Sequence, residues 1–151
     1  MDRTRPVRLL SVIFLLAIAT FAADPIAGTW RLKSQQVNGR ETPTQPLTLR
    51  ITTAGDLLEL EYSSAGSQMR FAAKLDGSAA EVKNSQGAKI GTAKVKRAGA
   101  SQYLVMLEGP NRPTSNGRLT VAASGRTLVS ESDAIGRDGA RLHTVQTFER
   151  Q

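Results

Sequence analysis

Hydrophobic and polar positions alternate along most of this chain with a period of two, and no long stretch keeps the 3.6-residue period of an amphipathic helix. Leu47, Leu49 and Ile51 alternate with Thr48, Arg50 and Thr52, and the run ends at Ala54-Gly55-Asp56. Leu58, Leu60 and Tyr62 then alternate with Glu59 and Glu61, which pairs the two runs as a hairpin. Met69, Phe71, Ala73 and Leu75 repeat the pattern opposite Arg70 and Lys74 before Asp76-Gly77 supplies a turn. Residues 78 to 87 are less regular and hold a short strand around Ala80 to Val82. Ala93 and Val95 oppose Lys94 and Lys96, Tyr103, Val105 and Leu107 follow, and residues 109 to 117 read as a breaker-rich turn. Leu119, Val121 and Ala123 form the next inward set, and either Leu128 or Val129 faces inward in the strand from Thr127 to Ser132. The last strand, Ala140 to Arg150, carries Leu142, Thr144, Gln146 and Phe148 on one side and His143 on the other.

Short strands joined by hairpin-length turns predict an all-β fold, an antiparallel up-and-down β-barrel of about eight strands, with a β-sandwich as the alternative. Closure favours the barrel because it leaves no exposed edge. The stretch Asp24 to Leu32 organises the prediction: it carries the only tryptophan, and its alternation sends Trp30 and Leu32 to one face and Thr29 and Arg31 to the other. Asn38-Gly39 fits a tight type I′ turn, and Pro43 and Pro46 then impose an irregular loop.

Residues 1 to 22 read differently. Arg3, Arg5 and Arg8 precede an apolar run from Leu9 to Ala19, and small residues follow, which is the order of a secretory signal-peptide helix. Cleavage after Ala22 is expected, with Ala17-x-Ala19 as a second site, leaving residues 23 to 151 as one secreted or periplasmic domain. The run is shorter than the ~20 residues needed to span hydrocarbon, so no stable membrane insertion is expected after cleavage. Loss of that segment lowers the net charge from +7 to +5, a modest excess that solvated outer faces account for. Without cysteine the chain has no disulfide, thiolate metal site or lipid-bearing cysteine, so its stability rests on packing.

Gly28-Thr29-Trp30, at the head of the first strand, resembles the N-terminal signature of lipocalin-like (calycin) proteins. The wider DPIAGTWRL looks like the start of small exported bacterial lipocalin-like proteins. The resemblance implies a ligand-binding barrel in which a basic residue near the chain end crosses to the first-strand tryptophan. Arg150 is the position that matches, with Arg141 as the other basic residue in that strand. Gly28, Trp30 and Arg150 are thus the expected structural signature.

Catalysis has no visible apparatus. His143 is the only histidine, no nucleophile elbow or phosphate loop is present, and neither a metal site nor a cofactor is expected. Glu59 and Glu61 share a face but, two apart on a strand, most simply solvate a hairpin. Nucleic-acid binding is not expected, because the few aromatics fall on apolar faces instead of interleaving with basic residues. The remaining candidate is the lumen. A barrel of this size is wide enough either to fill with side chains or to hold one small ligand. The expected lining is Leu49, Leu60, Tyr62, Phe71, Val105 and Leu107, with Tyr62, Tyr103, Ser130 and Gln146 as polar groups that orient a small hydrophobic or amphipathic ligand. The contrasting reading is a filled core acting through its surface as an inhibitor, envelope adaptor or cell-wall-associated protein.

Overall fold

The computed structural model describes residues 23–151; the segment read as an export signal lies outside them. The described chain forms one antiparallel sheet. Its strands are β1 (Gly28–Val37), β2 (Arg40–Glu41), β3 (Leu47–Ala54), β4 (Leu57–Ser64), β5 (Ser67–Lys74) and β6 (Asp76–Asn84), then β7 (Lys89–Gly99), β8 (Gln102–Gly109), β9 (Arg112–Val121), β10 (Thr127–Ile135) and β11 (Arg141–Arg150). Strands β3 to β11 each pair with the next in sequence, β1 pairs with β3, and β11 returns to β1, so the sheet closes into an up-and-down barrel. The two-residue β2 only pairs with the end of β1, across a turn in which Asn38 (φ 50°) and Gly39 (φ 77°) both take the left-handed backbone of type I′.

The barrel wall has ten strands, not about eight. The irregular stretch after Asp76 is a full wall strand, β6, whose Val82 is buried, although bulges interrupt its pairing with β7. The supposed turn from 109 to 117 is mostly strand: only Pro110 and Asn111 separate β8 from β9. Pro113 is tolerated there because it sits at the start of β9, near the rim. Ala123, expected inward, lies beyond the end of β9 and is exposed, whereas Leu128, not Val129, is the buried residue of β10.

One end of the barrel is packed solid. Ile26, Trp30, Ile51, Leu58, Val95, Tyr103, Leu128 and Phe148 are all essentially inaccessible there. Trp30 donates its indole N–H to the Ile26 carbonyl at 2.9 Å, so the buried ring leaves no polar atom unsatisfied. The Arg150 guanidinium lies 4.2 Å from the Trp30 ring centroid and donates to the carbonyls of Gly125 (2.8 Å), Ala27 (2.6 Å) and Pro25 (2.5 Å). Gly28 explains itself at this point. Its φ is +149°, and an added Cβ would stand 2.3 Å from Nη1 of the Arg150 guanidinium, whose Nε, Nη1 and Nη2 are each held by a backbone carbonyl. Thus Gly28, Trp30 and Arg150 form one cluster in which each residue's identity depends on the others.

A second cluster pins the chain entering β1. Tyr103 donates its hydroxyl to the Asp24 carboxylate, and Arg97 pairs with the same carboxylate while lying 5.0 Å from the Tyr103 ring centroid. Tyr103 therefore belongs to the sealed end, not to a ligand-orienting set. Burial and the adjoining Asp24 carboxylate push the Tyr103 phenol well up. For Asp24 burial acts to raise the pKa, but hydrogen bonds from Tyr103, the Ile26 amide and Arg97, with the charge of Arg97, outweigh it and hold the carboxyl below its ordinary value.

Trp30→Ala is expected to cost about 3 to 5 kcal/mol, more than Arg150→Ala, which removes a cation–π contact of about 0.5 to 2 kcal/mol and its carbonyl bonds. Chemical denaturation measures the order, and an unchanged melting temperature for Trp30→Ala would show that the ring does not seal the barrel.

The Asp24 and Tyr103 shifts have opposite signs in pH. Asp24, depressed in the fold, contributes stability above the unfolded carboxylate value of about 3.9, lost as pH falls through its folded pKa. Tyr103, raised in the fold, contributes stability present below the unfolded phenol value of about 10 and lost as pH rises beyond it. In Tyr62→Phe, where Tyr103 is the remaining tyrosine, phenolate absorbance should appear only with unfolding; a normal titration in the folded protein would contradict the buried pair.

Candidate ligand cavity

Away from the Trp30 end the inward side chains become half-buried, and the barrel holds a cavity of about 160 Å³. One wall is apolar: Leu49 from β3, Leu60 and Tyr62 from β4, Met69 and Phe71 from β5, Val105 and Leu107 from β8, and Leu119 from β9. The rest of the lining is polar and uncharged, made by Ser115 and Gly117 of β9, next to Leu107 and Val105, with Ser130 and Ser132 of β10 and Gln146 of β11. Gln146 donates to the Gln35 side chain at 2.7 Å, which fixes its amide against β1. Apart from Arg118, an exposed residue in the outward register beside Gly117, the lining carries no charged side chain.

The register explains why these residues meet. Leu49 pairs with Tyr62 and Tyr62 with Met69, while Leu60 pairs with Phe71, so cross-strand neighbours alternate between lumen and solvent in step. The outward partners form a charged row, Arg50 opposite Glu61 and Glu61 opposite Arg70. All six residues expected to line a ligand site, Leu49, Leu60, Tyr62, Phe71, Val105 and Leu107, surround this one cavity, together with Ser130 and Gln146.

The polar residues of β9 and the cavity's rim lay in the stretch read as a turn, and were missed. Their signal was present: Pro113, Ser115 and Gly117 continue backwards the period of Leu119 and Val121, against outward Thr114, Asn116 and Arg118. Small and imino residues hid it, because a strand facing a cavity does not need large apolar side chains.

A larger hollow of about 1040 Å³ lies over β3 to β6, lined by charged residues such as Arg50, Glu59, Glu61, Arg70, Lys74, Glu81 and Lys83 and reaching the apolar Leu60 and Phe71. It follows the seam where β5 and β6 pair only at Met69–Asn84 and Arg70–Lys83. Its mixed charges are solvated; Glu61, for instance, accepts from Gln68 at 2.9 Å. The lumen cavity, though smaller, is lined mainly by apolar side chains, from β3 to β5 and from β8 and β9. His143 is exposed on the outside of β11, 2.9 Å from Asp133, with no part in the lumen.

No protein-family model and no curated protein sequence matches this chain. Solved structures do. A structure described as "REP1-NXSQ fatty acid transporter" superposes with a TM-score of 0.61 at 15% identity, covering 85% of this chain and 98% of the other. A fatty acid binding protein of Schistosoma mansoni in complex with arachidonic acid gives a TM-score of 0.61 at 16% identity, covering 85% and 97%. The likeness is one of fold. Both superpositions support the closed antiparallel barrel described above.

The cavity makes the two walls unequal in energy. Phe71→Ala should cost about 3 to 5 kcal/mol, because it removes a ring packed into the core, whereas Ser130→Ala, beside empty space and without a side-chain hydrogen bond among the described residues, should stay within about 0.5 kcal/mol. Equal losses in urea denaturation would mean that Ser130 is packed and the cavity is closed.

Proposed function

We propose that this chain is an exported, non-catalytic, lipocalin-like barrel that binds a small apolar or amphipathic ligand in the lumen. The observation that carries the reading is the convergence of an apolar wall (Leu49, Leu60, Tyr62, Phe71, Val105, Leu107) and an uncharged polar wall (Ser130, Ser132, Gln146) on one cavity. Such a pairing of a dry surface with a few fixed polar groups is the usual construction of a small-molecule site. The fold neighbours support it, being proteins described as a fatty acid transporter and a fatty acid binding protein.

Volume sets the ligand's size. At about 160 Å³ the cavity lies below the ~300 Å³ of ordinary ligand pockets and near the ~150 Å³ that holds a benzene ring. A single ring or a chain of roughly six to eight carbons matches it better than a long-chain fatty acid. Removing about 150 Å² of apolar ligand surface from water contributes roughly 4 kcal/mol before association costs, so binding is weak and depends on the polar groups the ligand satisfies.

Calorimetric titration with 1-octanol and benzyl alcohol should show saturable one-site binding and a matching rise in melting temperature. Leu107→Trp, which fills the cavity, should abolish binding while the protein stays folded. Binding that survives Leu107→Trp would move the site to the outer wall and favour a barrel acting through its surface. Export is tested separately: intact mass of protein recovered from an exporting host should correspond to a chain starting at Ala23, and a full-length, membrane-retained species would refute it.

A further inference from the structure

A relay of three polar side chains runs from the loop after β2 to the lumen and fixes which atom the cavity presents. Thr42 turns its amide N–H and its hydroxyl to the Gln35 backbone carbonyl, at 3.0 and 3.4 Å. A carbonyl only accepts, so the hydroxyl proton is committed there and the hydroxyl's lone pairs are left for the Gln35 side chain. Gln35 meets them with Nε2, at 3.1 Å, which leaves its Oε1 for β11. That oxygen accepts from Gln146 Nε2 at 2.7 Å. The nitrogen of Gln146 is thereby turned to β1, and its Oε1 remains an acceptor with no hydrogen bond among the described residues. Gln146 lines the cavity, while Thr42 and Gln35 lie outside the lining. Ser130, its cross-strand neighbour on β10, lines the cavity beside it.

We infer that Gln146 is the specificity-determining residue of the lumen, and that the ligand class is a neutral single-ring or short-chain compound with one hydrogen-bond donor, such as a phenol or a primary alcohol, whose O–H donates to Gln146 Oε1. This rests on the lumen being the ligand site. A hydrocarbon of the same shape satisfies the apolar wall but displaces water from Oε1 and leaves that acceptor unpaired. A carboxylate fares worse. It sets acceptors against a fixed acceptor and finds no cation, since apart from the outward Arg118 no charged side chain lines the cavity. The volume of about 160 Å³ suits one ring. Thr42 and Gln35 are positioning residues: they deny Gln146 the flipped amide, in which the –NH2 would face the lumen and favour a ligand that accepts.

The test compares phenol with toluene, which have nearly the same shape and differ in the donor, by NMR titration of the wild type, Gln146→Leu and Thr42→Val at neutral pH. Gln146→Leu should weaken phenol about tenfold, the size of one lost hydrogen bond, and bind toluene at least as well as the wild type does. Thr42→Val, outside the lumen, frees the Gln35 amide to turn, and should weaken phenol about threefold while leaving toluene unchanged. A purely structural role for either residue would move both ligands together. Benzoate should show no saturable shift in the wild type. If the variants change phenol and toluene equally, or leave phenol unchanged, or if benzoate binds the wild type as well as phenol does, Gln146 sets no donor preference, although the lumen remains the ligand site. Should Gln146→Leu fail to fold, the phenol-to-toluene ratio in Thr42→Val decides alone. If neither phenol nor toluene binds the wild type, the lumen reading falls, and this inference with it.

Discussion

The structure depends on a guanidinium locked over an indole. Arg150, at the end of the last strand, stacks on Trp30 of the first strand and is fixed by carbonyls of Pro25, Ala27 and Gly125. Those contacts join the chain's entry into β1, the β9–β10 turn and the end of β11 at one point. Because β11 must pair with β1 for the barrel to close, the cluster sits at the seam that defines the fold. Gly28 is required for the same reason, since any side chain there would displace the arginine. The stack seals one end of the barrel.

A sealed end and an open end give the lumen a gradient. Near Trp30 the inward residues are large and fully buried; toward the opposite rim they give way to Ser115, Gly117, Ser130 and Ser132, which cannot fill a ten-stranded barrel. The barrel is solidly packed around Trp30 and carries a cavity of about 160 Å³ away from it. The packing around Trp30 thereby offsets the unfilled volume of the cavity. The cavity's modest size follows from Phe71, Leu60 and Leu119, whose side chains occupy space that a larger ligand would need.

Much of this was legible in the sequence because period-two alternation is strict wherever one face of a strand is dry. Leu47 to Ile51, Leu58 to Tyr62 and Met69 to Ala73 could be assigned a lumen face from pattern alone, and the Gly28–Trp30 motif marked the first strand. What escaped was the part of the wall that lines empty space. In β9 the inward positions Pro113, Ser115 and Gly117 look like turn residues, since nothing large is required of them. Strand β6 was obscured by Gly77, Ser78 and two alanines, with bulges that break its period. Tyr103 was assigned to the right face but the wrong end, because alternation gives the side of a strand and not the depth in the barrel. The Asp24 that captures it lies 79 residues away in sequence.

The division into a sealed half and a hollow half is tested most directly by mapping a small ligand onto the folded protein. In an isotope-labelled sample titrated with 1-octanol, NMR shift changes should concentrate on Tyr62, Val105, Leu107, Ser132 and Gln146, while the Trp30 indole N–H, buried and bonded to Ile26, stays in place. Shifts centred on the Trp30 indole, or on Arg50, Arg70 and Lys83 of the outer wall, would contradict the account.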